Sequence, residues 1–269
     1  MNNFNKIHIY TRHFTRNKKH PQRPNWFNYE KTFSNLLATT NFKYCDLTVI
    51  FEKEEDYPNY FVKKYEGLRP FKVKFIDTTR EKWIGKTIED IAWCRSIAAA
   101  AEVIKNDNLP ENDLIYISDD DFLHVPYWAE ISLDYINNFL NGENWWVCPC
   151  DYGDKYFFTD ENHTIDQWGT DQGMYAELTS MIRASHYRHW REVPNCMTSS
   201  IIPVRTFNRD YDEYWSKGYS DCSLNHAIRT KYKSRFWSPI PSLSCHVIDP
   251  FLPPLINWPE VQEKIILKD

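Results

Sequence analysis

Apolar residues along the first 120 positions follow two different periods. Short β-branched runs such as DLTVIFE and FKVKFID are typical of strands. Stretches with apolar residues three and four apart, such as TIEDIAWCRSIAAAAEVIK, are typical of helices, and a capping-box pattern from Thr87 to Asp90 marks the start of that helix. The pattern predicts strands at 6–12, 46–52, 71–77 and 113–118 and helices at 25–40, 58–67 and 87–105.

This alternation of strands and helices predicts an α/β fold with a mostly parallel, doubly wound central sheet flanked by helices. Ligands of such sheets bind at the carboxyl ends of the strands. We find no repeat, low-complexity linker or break, so we expect one domain with a regular half, 1–121, and an irregular half, 122–269.

The irregular half has weaker signals. We predict a helix at 126–141, a strand in WWVCPCDYGD, and two extended pieces within 187–207 that would form a hairpin. A helix at 218–232 has Ser220 as a candidate N-cap, and the chain ends in a proline-rich tail.

Composition narrows the class of protein. The net charge of −5 and the pI near 6.0 give no sign of electrostatic capture of nucleic acid. Aromatic residues make up 16% of the chain, which fits a sugar-stacking surface and a filled core alike.

Seven cysteines without a CxxC pair predict reduced thiols. Without a secretory signal or a transmembrane segment, we expect a soluble cytoplasmic protein, with peripheral membrane association left open.

Three adjacent carboxylates, Asp119, Asp120 and Asp121, follow the strand LIYIS. Like charges at about 4 Å repel by roughly 4 kcal/mol per pair at an effective dielectric near 20. In an extended chain the first and third would lie about 6.5 Å apart, too far for one cation to bind both comfortably. We therefore expect one carboxylate to bind a metal ion and another to accept a hydrogen bond from a ligand hydroxyl. The alternatives are a solvated acidic loop and a cap of the next helix.

The segment IYISDDDFLHVPYW resembles the EDDYLH-P version of the DxD motif found in a group of bacterial and large-virus GT-A glycosyltransferases, with Asp119 in place of Glu. Three further blocks resemble the same group in the same order: HWREVPNCMTSS, SDCSLNHAI and PIPSLSCHVIDPFLPPLINW. The resemblance implies a GT-A fold in which 1–121 binds the nucleotide sugar and 122–269 binds the acceptor and carries catalysis. It implies an inverting hexosyl- or deoxyhexosyltransferase, a UDP-sugar as the favoured donor, Mn²⁺ or Mg²⁺ as cofactor, and a glycan or lipid-linked acceptor.

The resemblance also assigns roles to single residues. Asp121 would bind the cation, Asp119 would reach the ribose or the metal and its water, and Asp120 would share either role on the donor. His246 would be the late histidine ligand of the metal or diphosphate, with Asp249 as the weaker alternative.

Asp221 matches the acidic residue that acts as general base in inverting members, although this chain has one acid where the family has a pair. A helix N-cap is the alternative role of Asp221. Further donor contacts are expected from Thr11, Arg12, Glu52 and Arg95. For the arginine on the long helix, an ion pair is the alternative. The acceptor pocket is expected to include His189 and Trp190, of which the tryptophan would equally suit the core.

Two other functions remain open on the sequence. The first is a metal-dependent nucleotidyltransferase or phosphohydrolase, although the chain has seven glycines and none before Gly67, where a phosphate-binding loop would need them. The second is a non-catalytic protein that binds a nucleotide sugar or carbohydrate.

Overall fold

The structure is a computed structural model that describes residues 3–14, 22–142, 144–152, 181–196 and 199–267, without the side chains of 221, 222 and 250. The strands are β1 (Ile7–His13), β2 (Cys45–Phe51), β3 (Lys72–Phe75), β4 (Leu114–Asp119), β5 (Phe122–His124), β6 (Trp145–Val147), β7 (Ile182–Ala184), β8 (His189–Val193), β9 (Ile201–Pro203), β10 (Arg235–Ile240) and β11 (Ser244–His246). The helices are α1 (Tyr29–Thr39), α2 (Arg80–Trp83), α3 (Ala92–Asn106), α4 (Trp128–Phe139), α5 (Val204–Asp210), α6 (Asp221–Tyr232) and α7 (Trp258–Lys264). Single 3-10 turns cover Glu54–Asn59, Phe61–Tyr65, Trp215–Lys217 and Asp249–Phe251.

One large sheet organises the described chain, in the order β3-β2-β1-β4-β9-β6-β10-β8-β7. Strands β1 to β4 pair in parallel, and β8 and β9 run against their neighbours. Strands β5 and β11 form a separate antiparallel pair. The predicted α/β fold with a large, mostly parallel central sheet flanked by helices is confirmed. The sheet continues from β4 into β9, and the division at 121 stays a prediction.

Both faces of the central strands are covered, which explains their apolar sequences. On one face Ile9 packs into a core with Phe33 of α1, and on the other face Tyr10 packs with Ile97 and Ala100 of α3. No helix in these described ranges is long and apolar enough to cross a membrane.

Two predicted helices differ from the observed ones. The long helix begins at Ala92 after Ile91, because the hydroxyl of Thr87 donates to the carbonyl of Glu89 instead of capping a helix. The helix predicted at 58–67 is absent: the chain forms two 3-10 turns there, and Pro58 lies inside the first. Tyr60, between them, has an extended backbone with φ −88° and ψ 144°, which interrupts a regular α-helix.

The predicted hairpin within 187–207 is wrong. Its two extended pieces are β8 and β9, which lie apart in the sheet, because β8 pairs with β7 and β10 while β9 pairs with β4 and β6. The helix α5 follows β9 directly, where an extended chain was expected.

The topology gathers polar residues at one edge of the sheet. Parallel pairing places Arg12, near the end of β1, beside Asp119 at the end of β4. A turn at 120–121 leads into β5, whose antiparallel pairing with β11 sets Phe122 opposite His246. The carboxyl ends of β1 and β4 therefore meet β11 here.

Candidate active site at the carboxyl ends of the strands

Asp119 forms a buried ion pair with Arg12. Its two carboxylate oxygens accept hydrogen bonds from Nε at 2.7 Å and Nη2 at 2.9 Å. The guanidinium is 1% exposed, lies 4.5 Å from the ring centre of Trp93 and donates through Nη1 to Ser96 Oγ at 3.4 Å. Asp119 is thus turned towards α3 and held there.

Asp121 faces a different set of partners. Its Oδ2 accepts a hydrogen bond from Arg23 Nη2 and lies 3.2 Å from His246 Nε2. The imidazole is stacked on Phe122, with ring centres 4.9 Å apart and planes 7° apart. Although burial raises the pKa of Asp121, the charges and hydrogen bonds of His246 and Arg23 lower it more. Asp121 therefore stays ionised.

Asp120, between the two, makes no hydrogen bond with a guanidinium group in the part of the chain that the structure describes. Its Oδ2 accepts from the backbone N–H of Phe14 at 3.4 Å. Burial first, and then the charges of Asp121 and Asp119, raise its pKa well above the ordinary value. The three carboxylates therefore coexist because two face guanidinium groups and the middle one keeps its proton more readily.

Several buried polar atoms at this edge have no hydrogen-bond partner within the described chain. Nearly all buried polar groups in proteins are hydrogen-bonded, so such a group of atoms indicates a site for a polar ligand. The atoms are Thr11 Oγ1, both ring nitrogens of His13, Arg23 Nε, Asp121 Oδ1 and His246 Nδ1.

His13 is the least expected member of this group. It lies among Phe33, Tyr60 and Phe61, with ring centres 5.2–6.1 Å away. Burial lowers its pKa to about 3, against the opposing charge of Asp121, so the ring is neutral at pH 7.

The donor set fits a divalent cation held by Asp121 and His246. The partnerless Oδ1 and the imidazole nitrogen beside Oδ2 are suitable ligands, and Mg²⁺ commonly takes one or two carboxylates together with substrate phosphates. Asp119 is turned away towards Arg12. Accordingly, no cluster of three or more His, Cys, Asp or Glu suited to a metal occurs among the residues that the structure describes.

Two of the four predicted donor-contact residues, Glu52 and Arg95, meet at Thr78, beyond the end of β3. Glu52 accepts a hydrogen bond from the Thr78 hydroxyl, and Arg95 Nε donates to the Thr78 carbonyl at 3.1 Å. Arg95 also donates to Asp90 at 2.8 Å, so the ion-paired alternative applies to it. Thr11 is buried on β1 next to Arg12.

On the acceptor side, the two predicted residues of β8 differ. His189 is exposed, whereas Trp190 is fully buried and stacks on Tyr135 with ring centres 4.1 Å apart. The core alternative therefore applies to Trp190, because both the burial and the stacking cover its ring. Asp249 is exposed at the start of a 3-10 turn, while His246 faces Asp121.

Asp221 is the first residue of α6, and its side chain lies outside the described residues. Ser220 occupies the N-cap position as expected, but its hydroxyl donates to Ser223 Oγ at 2.9 Å and accepts no capping hydrogen bond from a backbone N–H of the helix. The roles of Asp221 as base or cap stay predictions.

Arg23 and His13 escaped the sequence reasoning. Arg23 lies in a basic, proline-containing loop and contacts Asp121 across 98 positions of the chain, which no local pattern reveals. His13 ends a strand whose apolar pattern predicts only burial. The alternation of side chains along β1 places His13 on the same face as Ile9 and Thr11.

No protein-family model matches the chain, and no curated protein matches it at a significant level. In structure it is similar to apo mouse xyloside xylosyltransferase 1, at 14% identity and TM-score 0.45, over 91% of this chain and 79% of that one. It is similar to residues 1–349 of S. aureus TarS in complex with UDP-GlcNAc, at 11% identity and TM-score 0.43, over 82% and 52%. It is also similar to 4-diphosphocytidyl-2C-methyl-D-erythritol synthase, at 10% identity and TM-score 0.41, over 83% and 84%. These likenesses concern the course of the backbone.

The adjacent substitutions Asp119→Asn and Asp120→Asn should have opposite effects on stability. The first leaves the buried Arg12 without its counter-charge and should lower the free energy of unfolding by about 3 kcal/mol or more. The second removes a carboxyl whose folded pKa is raised above 3.8, and such a group loses stability as pH rises through its folded pKa. Asp120→Asn should therefore be neutral or stabilising, and more favourable at pH 7 than at pH 4. Denaturant unfolding at both pH values measures this, and equal losses for the two variants would contradict the division of charge.

The buried stacking of Trp190 predicts that Trp190→Ala lowers the free energy of unfolding by about 3–5 kcal/mol, because a large core side chain is lost. His189→Ala, on the same strand but exposed, is the matched control and should change it by less than about 0.5 kcal/mol. Denaturant unfolding compares the two. If Trp190→Ala were as stable as the control, the core role of Trp190 would be contradicted and its predicted place in the acceptor pocket would be supported.

Proposed function

We propose that this protein is a metal-dependent, inverting glycosyltransferase of GT-A type. It would move a hexosyl or deoxyhexosyl group from a nucleotide-diphosphate sugar, with UDP-sugar favoured, to a hydroxyl of a glycan or lipid-linked acceptor. The observation that carries the proposal is the convergence of His246 and Arg23 on one carboxylate oxygen of Asp121, at the edge of the sheet where ligands of such folds bind.

This arrangement suits a diphosphate leaving group. Asp121 and His246 would hold Mn²⁺ or Mg²⁺, which as a Lewis acid neutralises charge on the departing diphosphate. Arg23 adds a partly buried cation beside Asp121, and its positive charge would stabilise the negative charge that develops on the departing diphosphate.

Asp119 would bind the donor through its remaining lone pairs. Both of its oxygens accept from Arg12, but an ionised carboxylate has about four acceptor positions, so it can still accept a hydrogen bond from a ribose hydroxyl. The bidentate pair fixes the orientation of the carboxylate, which supports a positioning role for Arg12 and a contact role for Asp119.

Asp221 would be the general base at the start of α6. It would take the proton of the acceptor hydroxyl while that oxygen attacks the anomeric carbon and the bond from this carbon to the diphosphate oxygen breaks. One displacement of this kind inverts the anomeric configuration and needs no covalent intermediate.

A nucleotidyltransferase would use the same cation and the same edge of the sheet, but it would release pyrophosphate. A glycosyltransferase releases a nucleoside diphosphate. Product analysis therefore separates the leading proposal from this alternative, and a protein that binds the donor without releasing nucleotide would be the non-catalytic one.

A panel of nucleoside diphosphates and nucleotide sugars tests the cation site. We expect one nucleotide class to stabilise the protein only when Mn²⁺ is present. At a ligand concentration a hundredfold above Kd, the free energy of unfolding should rise by about 2.7 kcal/mol. Asp121→Asn should abolish the metal-dependent part, whereas Asp46→Asn, at an exposed position of β2, should retain it. Stabilisation that is independent of both Mn²⁺ and Asp121 would refute the site.

Asp221→Asn should lower the rate of sugar transfer by about 10² to 10⁴ fold, because the acceptor loses its general base. Its affinity for the donor should stay near that of the wild type. Transfer rates are measured with the donor found above, and NMR of the first product determines the anomer. Near-normal transfer by Asp221→Asn, or retention of configuration, would remove this base.

A further inference from the structure

Arg23 contacts three parts of the candidate site: the end of β4, the segment after β11 and an aromatic pair near α1. Its Nη1 donates to the carbonyl of Val247 at 2.6 Å while Nη2 donates to Asp121. The backbone N–H of Val247 in turn donates to the carbonyl of Asp121 at 3.0 Å. The guanidinium lies 4.6 Å from the ring centre of Phe27 and 5.7 Å from that of Tyr29, and its side chain is 14% exposed. Arg23 is therefore a built part of the site.

This position puts Arg23 in competition with a divalent cation. The same oxygen, Oδ2 of Asp121, receives both Arg23 and His246, so a cation on this carboxylate lies next to a guanidinium. Two positive centres around one carboxylate repel each other in a buried site, where screening by water is weak.

A diphosphate removes the conflict. Its negative charge would offset both positive charges, and its oxygens would offer acceptors to the guanidinium, whose Nε has no hydrogen-bond partner among the described residues. Arginine is well suited to this exchange, since its planar donor group matches carboxylate and phosphate equally.

We propose that Arg23 makes cation binding at Asp121 conditional on a bound nucleoside diphosphate. This inference rests on the proposed function and adds a condition for cation binding. Without a nucleotide, Arg23 occupies the carboxylate of Asp121. The donor diphosphate then binds Arg23 in its place, so that the cation can bind Asp121. Coupling of this kind is reciprocal, so Mn²⁺ must tighten diphosphate binding by the same factor.

Binding of Mn²⁺ alone tests the inference without any assay of activity. Free Mn²⁺ is measured by electron paramagnetic resonance during titration of the protein, with and without UDP, after correction for the Mn²⁺–UDP complex measured without protein. In the wild type, UDP should tighten Mn²⁺ binding by about tenfold or more. In Arg23→Gln, Mn²⁺ alone should bind about tenfold tighter than in the wild type, and UDP should tighten Mn²⁺ binding by a smaller factor than in the wild type, because only direct coordination by the diphosphate remains.

Three further variants make the result specific. Arg23→Lys keeps the positive charge and should still require UDP. Lys31→Gln removes an exposed cation of α1 that pairs with Glu263, and it should behave as the wild type does. Asp121→Asn should bind no Mn²⁺ under either condition.

The outcomes separate this inference from the proposed function. Equal affinity of Arg23→Gln and wild type for Mn²⁺ alone, with binding lost in Asp121→Asn, overturns the role of Arg23 and keeps the cation site. Mn²⁺ binding that survives in Asp121→Asn overturns the cation site itself. If Arg23→Gln does not fold, the wild type still decides, because Mn²⁺ affinity that is the same with and without UDP excludes the coupling.

Discussion

The pairing of carboxylates with guanidinium groups at the end of β4 is the interaction on which the rest of the site depends. Three adjacent aspartates cannot all be ionised in a buried place without compensation. Arg12 compensates Asp119 from the α3 side, and Arg23 compensates Asp121 from the opposite side. Two carboxylates therefore lie at the edge of the sheet, each oriented by its own arginine.

This separation follows from the chain geometry. Successive side chains of a strand alternate between faces, and the turn at 120–121 then redirects Asp121 towards β11. An extended chain would have put Asp119 and Asp121 on one face. The turn instead directs Asp119 to Arg12 and Asp121 to Arg23 and His246. Both carboxylates lie at the edge where the parallel strands end, beside one buried arginine, Arg12, and one partly buried arginine, Arg23.

The sequence predicts the regular half well, because strands such as β2 are buried on both faces and so carry continuous β-branched runs. It fails where partners are distant in the chain. The apparent hairpin in 187–207 splits because β9 finds partners in β4 and β6, and the contact of Arg23 with Asp121 spans a loop without any local signal. The sequence also fails to distinguish two roles that the same residue type can fill. From the sequence, Trp190 could stack on a sugar or pack in the core. Its stacking on Tyr135 in the structure assigns it to the core.

A crystal structure with Mn²⁺ and UDP bound tests the central claim most directly. The account predicts anomalous density for manganese at about 2.1–2.2 Å from a carboxylate oxygen of Asp121, with His246 and the diphosphate oxygens completing its coordination. Asp119 should remain paired with Arg12 in that structure. Manganese bound elsewhere, or absent while Asp121 still faces Arg23 beside an ordered UDP, would contradict the account.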